Sequence, residues 1–331
     1  MRLLVFEFIT GGGLLNDILP SSLMQEGAMM RAALLQDLGE IQGLKLLVLN
    51  DARIEEPQIP PAGTLFNIQP RTNLELYLRE IKDDYDVVWL IAPETEGMLV
   101  KWHQFFSQEN KQLCLSSQQT LTLCQNKLHT INVLKEATIS CVNSQKYRSF
   151  LPIDSGQWVL KPMESVGCED VYLIQSKQQW LDLLKVLDKQ QEYLIQPYIQ
   201  GTVLSLSALF YQGESAFICC NQQQLSLKDN KFQLLGCTVN IKQEKSLEYQ
   251  KLCSKIAKSI PGLWGYIGID LIETEQGELL ILEINPRLTT SYVGIKEATG
   301  INVAAQVLDL LNNKITDLIK TKSKTISVNI H

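Results

Sequence analysis

The chain has 331 residues, of which 45% are hydrophobic and 20% charged, with a formal net charge of −6 at neutral pH. That length supports two or three domains with their own cores; the acidic balance argues against a nucleic-acid partner, and no apolar run approaches the roughly 20 residues needed to span a membrane. The eight cysteines contain no Cys-x-x-Cys pair and the three histidines are scattered, which excludes a zinc site and fits a reducing cytoplasm. Met1-Arg2 leads straight into a strand-like run, so no signal peptide is expected.

Leu3–Phe8 reads as a buried strand ending in Thr10-Gly11-Gly12-Gly13. An irregular polar stretch and a helix over about 22–38 follow, then a strand at 44–49 ending in Asn50-Asp51, a polar helix at about 73–82 and a strand at 86–91. This alternation of short apolar strands and helices specifies an open α/β sheet. In such sheets ligands bind beyond the carboxyl ends of the strands. Three polar clusters fall there: Thr10–Gly13, Asn50-Asp51 and Ala92-Pro93-Glu94-Thr95-Glu96-Gly97. Gly12 and Gly13 either form a tight turn touching substrate or cradle a phosphate, because glycine lets backbone N–H groups approach an anion. Their spacing matches neither dinucleotide nor P-loop patterns. Glu94 and Glu96 either face solvent or hold an amine of the substrate.

Helices are expected at 96–109 and 115–124, and Asn126-Lys127-Leu128 opens another. The loop-rich segment 141–156 marks a subdomain change. Gln157–Pro162 is a strand with Lys161 at its end, followed by a polar loop at 163–170 and a second strand at 171–174. A helix at 177–188 leads to strands at 192–198, 203–210, 216–220 and 232–241, with Gln222-Gln223-Gln224 expected in a hairpin or loop. A helix at 247–260 precedes the hairpin 265–287, an amphipathic helix spans 303–318, and lysines 314, 320, 322 and 324 mark a solvated tail.

The hairpin carries the densest chemistry. If its turn, Glu275-Gln276-Gly277-Glu278, centres between Gln276 and Gly277, Asp270 lies opposite Glu283. Asn285 shares the face of Glu283, because strand residues two apart point the same way. Two carboxylates crowded in an apolar sheet are costly unless something neutralises them. With the amide oxygen they form a hard donor set that suits Mg²⁺ shared with a phosphate. Arg287, just after Pro286, is placed to reach the same phosphates.

At Asp270 and at Leu282-Glu283-Ile284-Asn285-Pro286-Arg287 the chain resembles the metal-binding signature of the ATP-grasp superfamily. Asn126-Lys127-Leu128 resembles the family's first ATP-binding lysine. Lys161-Pro162 and the following loop resemble its phosphate lysine and glycine-rich lid, with Ser165 and Gly167 in the lid. Gln196-Pro197-Tyr198-Ile199-Gln200-Gly201 resembles its adenine hinge, with Gln196, Tyr198 and Ile199 around the base. Gln196 stands where a carboxylate is common, and Val203 where many relatives carry a ribose-binding glutamate. The resemblance implies an α/β and α+β chain with the ATP-grasp fold. An N-terminal open α/β, Rossmann-like domain would cover 1–114, a small subdomain with the lid 115–195, and a large subdomain with the metal site 196–331. It implies ATP with Mg²⁺ or Mn²⁺, two ions on Asp270, Glu283 and Asn285, while Lys127, Lys161 and Arg287 neutralise the transferred phosphoryl group. The implied reaction is carboxylate–amine ligation through an acyl phosphate.

Three N-terminal runs, Val5–Gly13, Gln25-Glu26-Gly27-Ala28-Met29-Met30 and Ile91–Gly97, resemble the tyramine–glutamate ligase group. That implies L-glutamate and tyramine, or a similar amine, as small-molecule substrates in methanofuran-type cofactor synthesis. Gly12, Gly13, Glu26 and Glu94 would lie toward substrate, with Arg287 and Arg31 facing a carboxylate. The alternatives are another ATP-grasp ligase, of carbamoyl-phosphate-synthase or amino-acid ligase type, or a nucleotide-binding protein without catalysis.

Overall fold

The computed structural model describes residues 1–147, 156–164, 167–241, 244–314 and 318–330. The N-terminal part alternates β1 (Arg2–Glu7), α1 (Ser21–Leu38), β2 (Lys45–Asp51), β3 (Gly63–Ile68), α2 (Leu74–Glu80), β4 (Val87–Ile91), α3 (Met98–Gln108) and β5 (Gln112–Leu113). Its strands form a parallel sheet in the order β3-β2-β1-β4-β5. Inner strands of a parallel sheet are covered on both faces and must be apolar throughout. Leu3 and Val5 accordingly pack with Met30 and Leu34 of α1, while Leu4 and Phe6 pack with Trp102 and Phe106 of α3. The chain runs outward from β1 to β3, then returns to build β4 and β5 on the other side. The switch point therefore lies between β1 and β4, where the segments after Glu7 and Ile91 border a crevice.

The rest comprises α4 (Gln118–Gln125), α5 (Lys127–Glu136), β6 (Gln145–Lys146), β7 (Trp158–Pro162), β8 (Tyr172–Ile174), α6 (Lys177–Val186), β9 (Tyr193–Pro197), β10 (Gly201–Tyr211), β11 (Glu214–Lys228), β12 (Lys231–Val239), α7 (Ser246–Ser259), β13 (Gly265–Thr274), β14 (Leu279–Asn285), α8 (Tyr292–Thr299), α9 (Val303–Leu311) and β15 (Ile326–Asn329). An antiparallel sheet runs β14-β13-β10-β11-β12-β8-β7-β9-β6, with β15 beside β12. It reads as two blades, because β8 and β12 pair only at Tyr172 and Lys231. The small blade closes over Leu160, Trp180 and Ile195. The large blade packs α4, α5 and α7 against β10, β13 and β14 around Leu206, Ile256 and Ile269.

Several expectations change. Cys124, Leu134 and Ile139 join the core of the large blade, whereas Leu115 and Leu121 pack with Phe6 and Trp102 of the N-terminal part, so 115–140 do not pack with the small subdomain's core. The other expected boundary, between 195 and 196, falls inside β9, which pairs with β7. Gln222–Gln224 lie within the 15-residue β11, where Gln223 pairs with Cys237, and the irregularity is a bulge after Gln224 rather than a turn. The last helix stops at Leu311, and Asn313, in the left-handed region (φ 56°), turns the chain away. β3, α8 and β15 are additional elements. Among the described residues no helix is long and apolar enough to cross a membrane.

The N-terminal sheet and the large blade share one core, in which Met30, Leu34 and Trp89 meet Leu209, Ile218, Tyr292 and Val307. Tyr292 of α8 also donates a hydrogen bond (2.7 Å) to the buried Asp37 of α1, and Lys296 lies 3.1 Å from the same carboxylate. The two parts are thereby joined as one body at the exit of the β13–β14 hairpin.

Candidate active site

A cavity of about 330 Å³ lies between the two blades. It meets a smaller chamber of about 50 Å³ in the switch-point crevice, and Glu26, Gly167 and Arg287 border both.

On the large blade, Asp270 of β13 faces Glu283 of β14. The expected pairing holds, but by a different route. The outer rungs, Glu273–Leu279 to Leu271–Ile281, centre the turn on Gln276; Leu282 then bulges out and restores the Asp270–Glu283 rung. Asn285 donates from Nδ2 to Asp270 Oδ2 at 3.1 Å, which leaves its Oδ1 for the cavity. Lys127 Nζ lies 3.4 Å from Glu283 Oε2. Burial, with Glu283 beside it, pushes the Asp270 carboxyl up to about 7, against hydrogen bonds from Ser205 and Gln223. Burial also works against ionised Glu283, but Lys127 and Lys161 outweigh it and hold that carboxyl well below the usual range. Burial pushes the Lys161 ammonium down, and Glu283 partly restores it.

These residues fit a divalent metal. Two carboxylates and an amide oxygen are hard ligands, and the proton that Asp270 retains is the one a cation would displace. Among the described residues no group of three or more His, Cys, Asp or Glu side chains is placed to hold a metal ion, so at this site the amide oxygen would have to complete the set. A measurable consequence is that Mg²⁺ or Mn²⁺ affinity should rise with pH through the raised range of Asp270, because the proton must leave first. Isothermal titration from about pH 5 to pH 8 checks this; Asp270→Asn should flatten the slope, and a flat profile in the native protein would contradict the assignment. Without metal the sign reverses for stability. The folded state holds this proton more tightly than the unfolded chain, so stability declines as pH rises above the ordinary aspartate range.

Lys161, at the end of β7, and Lys127, at the start of α5, are buried in the cavity wall. Gly167 of the lid takes a left-handed conformation (φ 59°) over both chambers, with Cys168 beside it. Asp170, at the lid's end, is tied to Lys231 of β12 at 2.7 Å and accepts from Tyr172 Oη at 3.0 Å. Ser165 lies outside the described residues. At the hinge, the buried Gln196 donates from Nε2 to Ser144 Oγ at 2.6 Å, while Tyr198 and Ile199 face the cavity. The Tyr198 N–H is engaged by the Gln157 carbonyl at 2.9 Å. Val203 lines the same wall with an apolar surface.

The N-terminal sheet contributes differently from what its motifs imply. Glu26 on α1 lines both chambers, held by a hydrogen bond from Thr290 Oγ1. Glu94 is neither solvated nor open to an amine. It is buried against Arg287, accepting from Nε at 2.8 and 2.9 Å and from Nη2 at 2.8 Å. Glu96 is exposed. Gly12 (φ 97°) and Gly13 line neither chamber; they make the tight turn after β1, closed against Leu15 and Phe8. Arg31 is buried on the carbonyls of Thr10 and Leu49 and on Asn50 Oδ1, at 3.0–3.3 Å, and lines neither chamber. Ser205, Gln223, Thr290 and Gly27 also line the two chambers without having been singled out as site residues; Gly27 stands beside Glu26 in a quoted run, and Gln223 in the run expected as a hairpin or loop.

Gly27 has a physical reason. A Cβ there would lie 2.7 Å from the carboxylate of Glu7, which accepts from the Ile9 N–H and from the Thr10 N–H and hydroxyl. In an open helix, Gly→Ala stabilises by about 1 kcal/mol. Here Gly27→Ala should instead destabilise by about 1–3 kcal/mol, as overpacking does. Chemical denaturation measures this; a stabilised variant would contradict the packing argument.

The ATP-grasp domain family matches residues 124–291, and the pre ATP-grasp 3 domain matches 44–120. The chain is 25% identical over 329 residues to the tyramine–L-glutamate ligase of Methanocaldococcus fervens, covering 98% of this chain and 99% of that one. In fold it is similar to N5-carboxyaminoimidazole synthetase from Staphylococcus aureus complexed with ADP, with a TM-score of 0.72, 16% identity, and 98% of this chain and 80% of that one covered. L-amino acid ligase from Bacillus licheniformis gives a TM-score of 0.69 at 16% identity, over 93% of this chain and 73% of that one. An ATP-dependent carboxylate–amine ligase is the class defined by these matches and by the site between the blades. The chain belongs to the ATP-grasp family, whose enzymes bind ATP and divalent metal ions.

Proposed function

We propose that this ligase joins L-glutamate to tyramine, or to an amine of similar form, in the synthesis of a methanofuran-type cofactor. The observation that carries the reading is Glu26. It is a carboxylate on the N-terminal domain at the meeting point of the phosphate cavity and the switch-point chamber, where an ammonium group arriving at an acyl phosphate would be received. The near full-length likeness to a tyramine–L-glutamate ligase supports the choice of substrates.

In this reading ATP lies with its base at Ile199 and Tyr198 and its phosphates between Lys127 and Lys161. A substrate carboxylate oxygen bonds to the γ-phosphorus as the bond to the β-phosphate oxygen breaks, and ADP leaves with that electron pair. The amine nitrogen then bonds to the acyl carbon, the carbon–oxygen bond to phosphate breaks, and phosphate departs. Glu26 first takes one proton from the arriving ammonium, which frees the nitrogen's lone pair, and passes it on to water; the second proton, shed as the amide forms, goes to the departing phosphate. Lys161, Lys127 and Arg287 meet the charge that develops on the phosphoryl oxygens. Asp270, Glu283 and Asn285 would hold magnesium, in this reading two ions, which would supply further charge screening.

The test is ADP release with Mg²⁺-ATP over a panel of acids and amines, with the product identified by mass spectrometry. Release that requires both L-glutamate and tyramine, together with a glutamyl-tyramine product, is the expected result. Release with a different amine but not with tyramine would overturn the substrate assignment.

A further inference from the structure

Arg287 follows β14 and Pro286 into the wall shared by the two chambers. Its guanidinium carries five N–H bonds in a fixed fork. Nε and Nη2 are engaged side-on by Glu94, and Nη1 donates to the Leu288 carbonyl at 3.0 Å. One N–H on each terminal nitrogen is left without a protein partner among the described residues. Two other carboxylates compete for the same group, because Glu26 and Glu283 also attract it. Glu94 lies 193 positions away in the chain, on the loop that leaves β4. That loop is bent to deliver it: Glu96 (φ 54°) and Gly97 (φ 68°) are consecutive left-handed residues, and Thr95 Oγ1 is buried without a partner among the described residues. Strain of this kind persists where the surrounding structure fixes a residue for a purpose.

We propose that Glu94 is a positioning residue for phosphoryl transfer, holding Arg287 against the cavity wall with its free N–H edge toward the anion. A bidentate carboxylate fixes both the place and the plane of a guanidinium. Without Glu94, Arg287 turns to Glu26 or Glu283, and the phosphoryl group loses a donor. The N-terminal domain thus sets the geometry of the transfer site without touching the nucleotide. A simple charge argument has the opposite sign: deleting a carboxylate near an anion site should strengthen anion binding.

The test uses the whole enzyme and does not depend on which acid or amine it takes. The affinity for Mg²⁺-ADP is measured by titration calorimetry with and without fluoroaluminate, a planar anion that mimics the transferred group. In the native protein the anion should tighten ADP binding by at least about tenfold. Glu94→Gln should keep ADP affinity within about threefold yet lose most of that tightening. Glu94→Asp, which keeps the charge on a shorter arm, should recover part of it. Arg287→Lys should lose the tightening, and adding Glu94→Gln to it should cost nothing further, because the two residues act as one unit. The proposal is overturned if Glu94→Gln tightens on the anion as much as the native protein or more. It is also overturned if the native protein shows no tightening, or if ADP affinity alone falls in step. Should Glu94→Gln not fold, Glu94→Asp and Arg287→Lys decide: full tightening in either contradicts it.

Discussion

Replacing Glu283 by Gln is expected to lower the turnover of ATP by about 10³-fold or more, while ATP affinity stays within about tenfold. The split follows from what Glu283 touches. It faces Asp270 across the hairpin and lies 3.4 Å from Lys127, in a wall shared with Lys161. Gln keeps the shape but removes the charge that both the lysines and a divalent cation balance. Lys127 and Lys161 still line the cavity and attract the triphosphate, so binding survives. What would be lost is one member of the proposed metal-ligand set, which must be complete when charge builds on the γ-phosphate. Steady-state ADP release beside calorimetric ATP titration separates the two effects. Turnover within about tenfold of native would remove Glu283 from the metal set.

Lys161→Met is expected to lower kcat/KM for ATP by about 10²–10³-fold. Lys161 stands at the end of β7 where burial already works against its charge, and Glu283 supports it only in part. A triphosphate entering the cavity supplies the missing counter-charge, so the ammonium contributes to binding and to transfer together. The loss should therefore be divided between KM and kcat, unlike that of Glu283→Gln. Arg at this position should not rescue, because a planar fork cannot take the place of a compact ammonium in the buried end of a strand. Kinetics across an ATP concentration series measure both parameters; unchanged kcat/KM would place the phosphates elsewhere.

The elements that carry the chemistry were legible because they combine a local pattern with a strand register. Asp270 and Glu283 could be set opposite each other from the turn residues alone, although the structure reaches that pairing through a bulge at Leu282 that no spacing rule reveals. Lys161 was readable as a lysine at the end of a strand before a polar loop, whereas Lys127 and the hinge stood out only through the family resemblance. β3 was not, because Pro57, Pro60 and Pro61 crowd a run of only six residues. α8 and β15 were hidden for another reason. Their stability comes from docking on α1 and β12, and only the fold supplies those partners. Glu94 is the most instructive case. As a sequence feature it is an acidic loop residue beyond a strand, either solvated or holding an amine. In the structure it is half of a buried ion pair with Arg287, and a contact across 193 residues leaves no local trace. Gln223 was read as turn material because consecutive glutamines carry no strand signal, whereas pairing on β11 brings it to Asp270.

The central claim is that a substrate carboxylate is activated as an acyl phosphate in the cavity between the two blades. The direct measurement is the fate of oxygen. L-Glutamate labelled with ¹⁸O in its carboxyl groups is turned over with Mg²⁺-ATP and tyramine, and the released phosphate is analysed by mass spectrometry. One labelled oxygen in each phosphate is the predicted result, because the carbon–oxygen bond that breaks leaves the carboxylate oxygen on phosphorus. Unlabelled phosphate, with both labelled oxygens kept by the acid, would contradict the account.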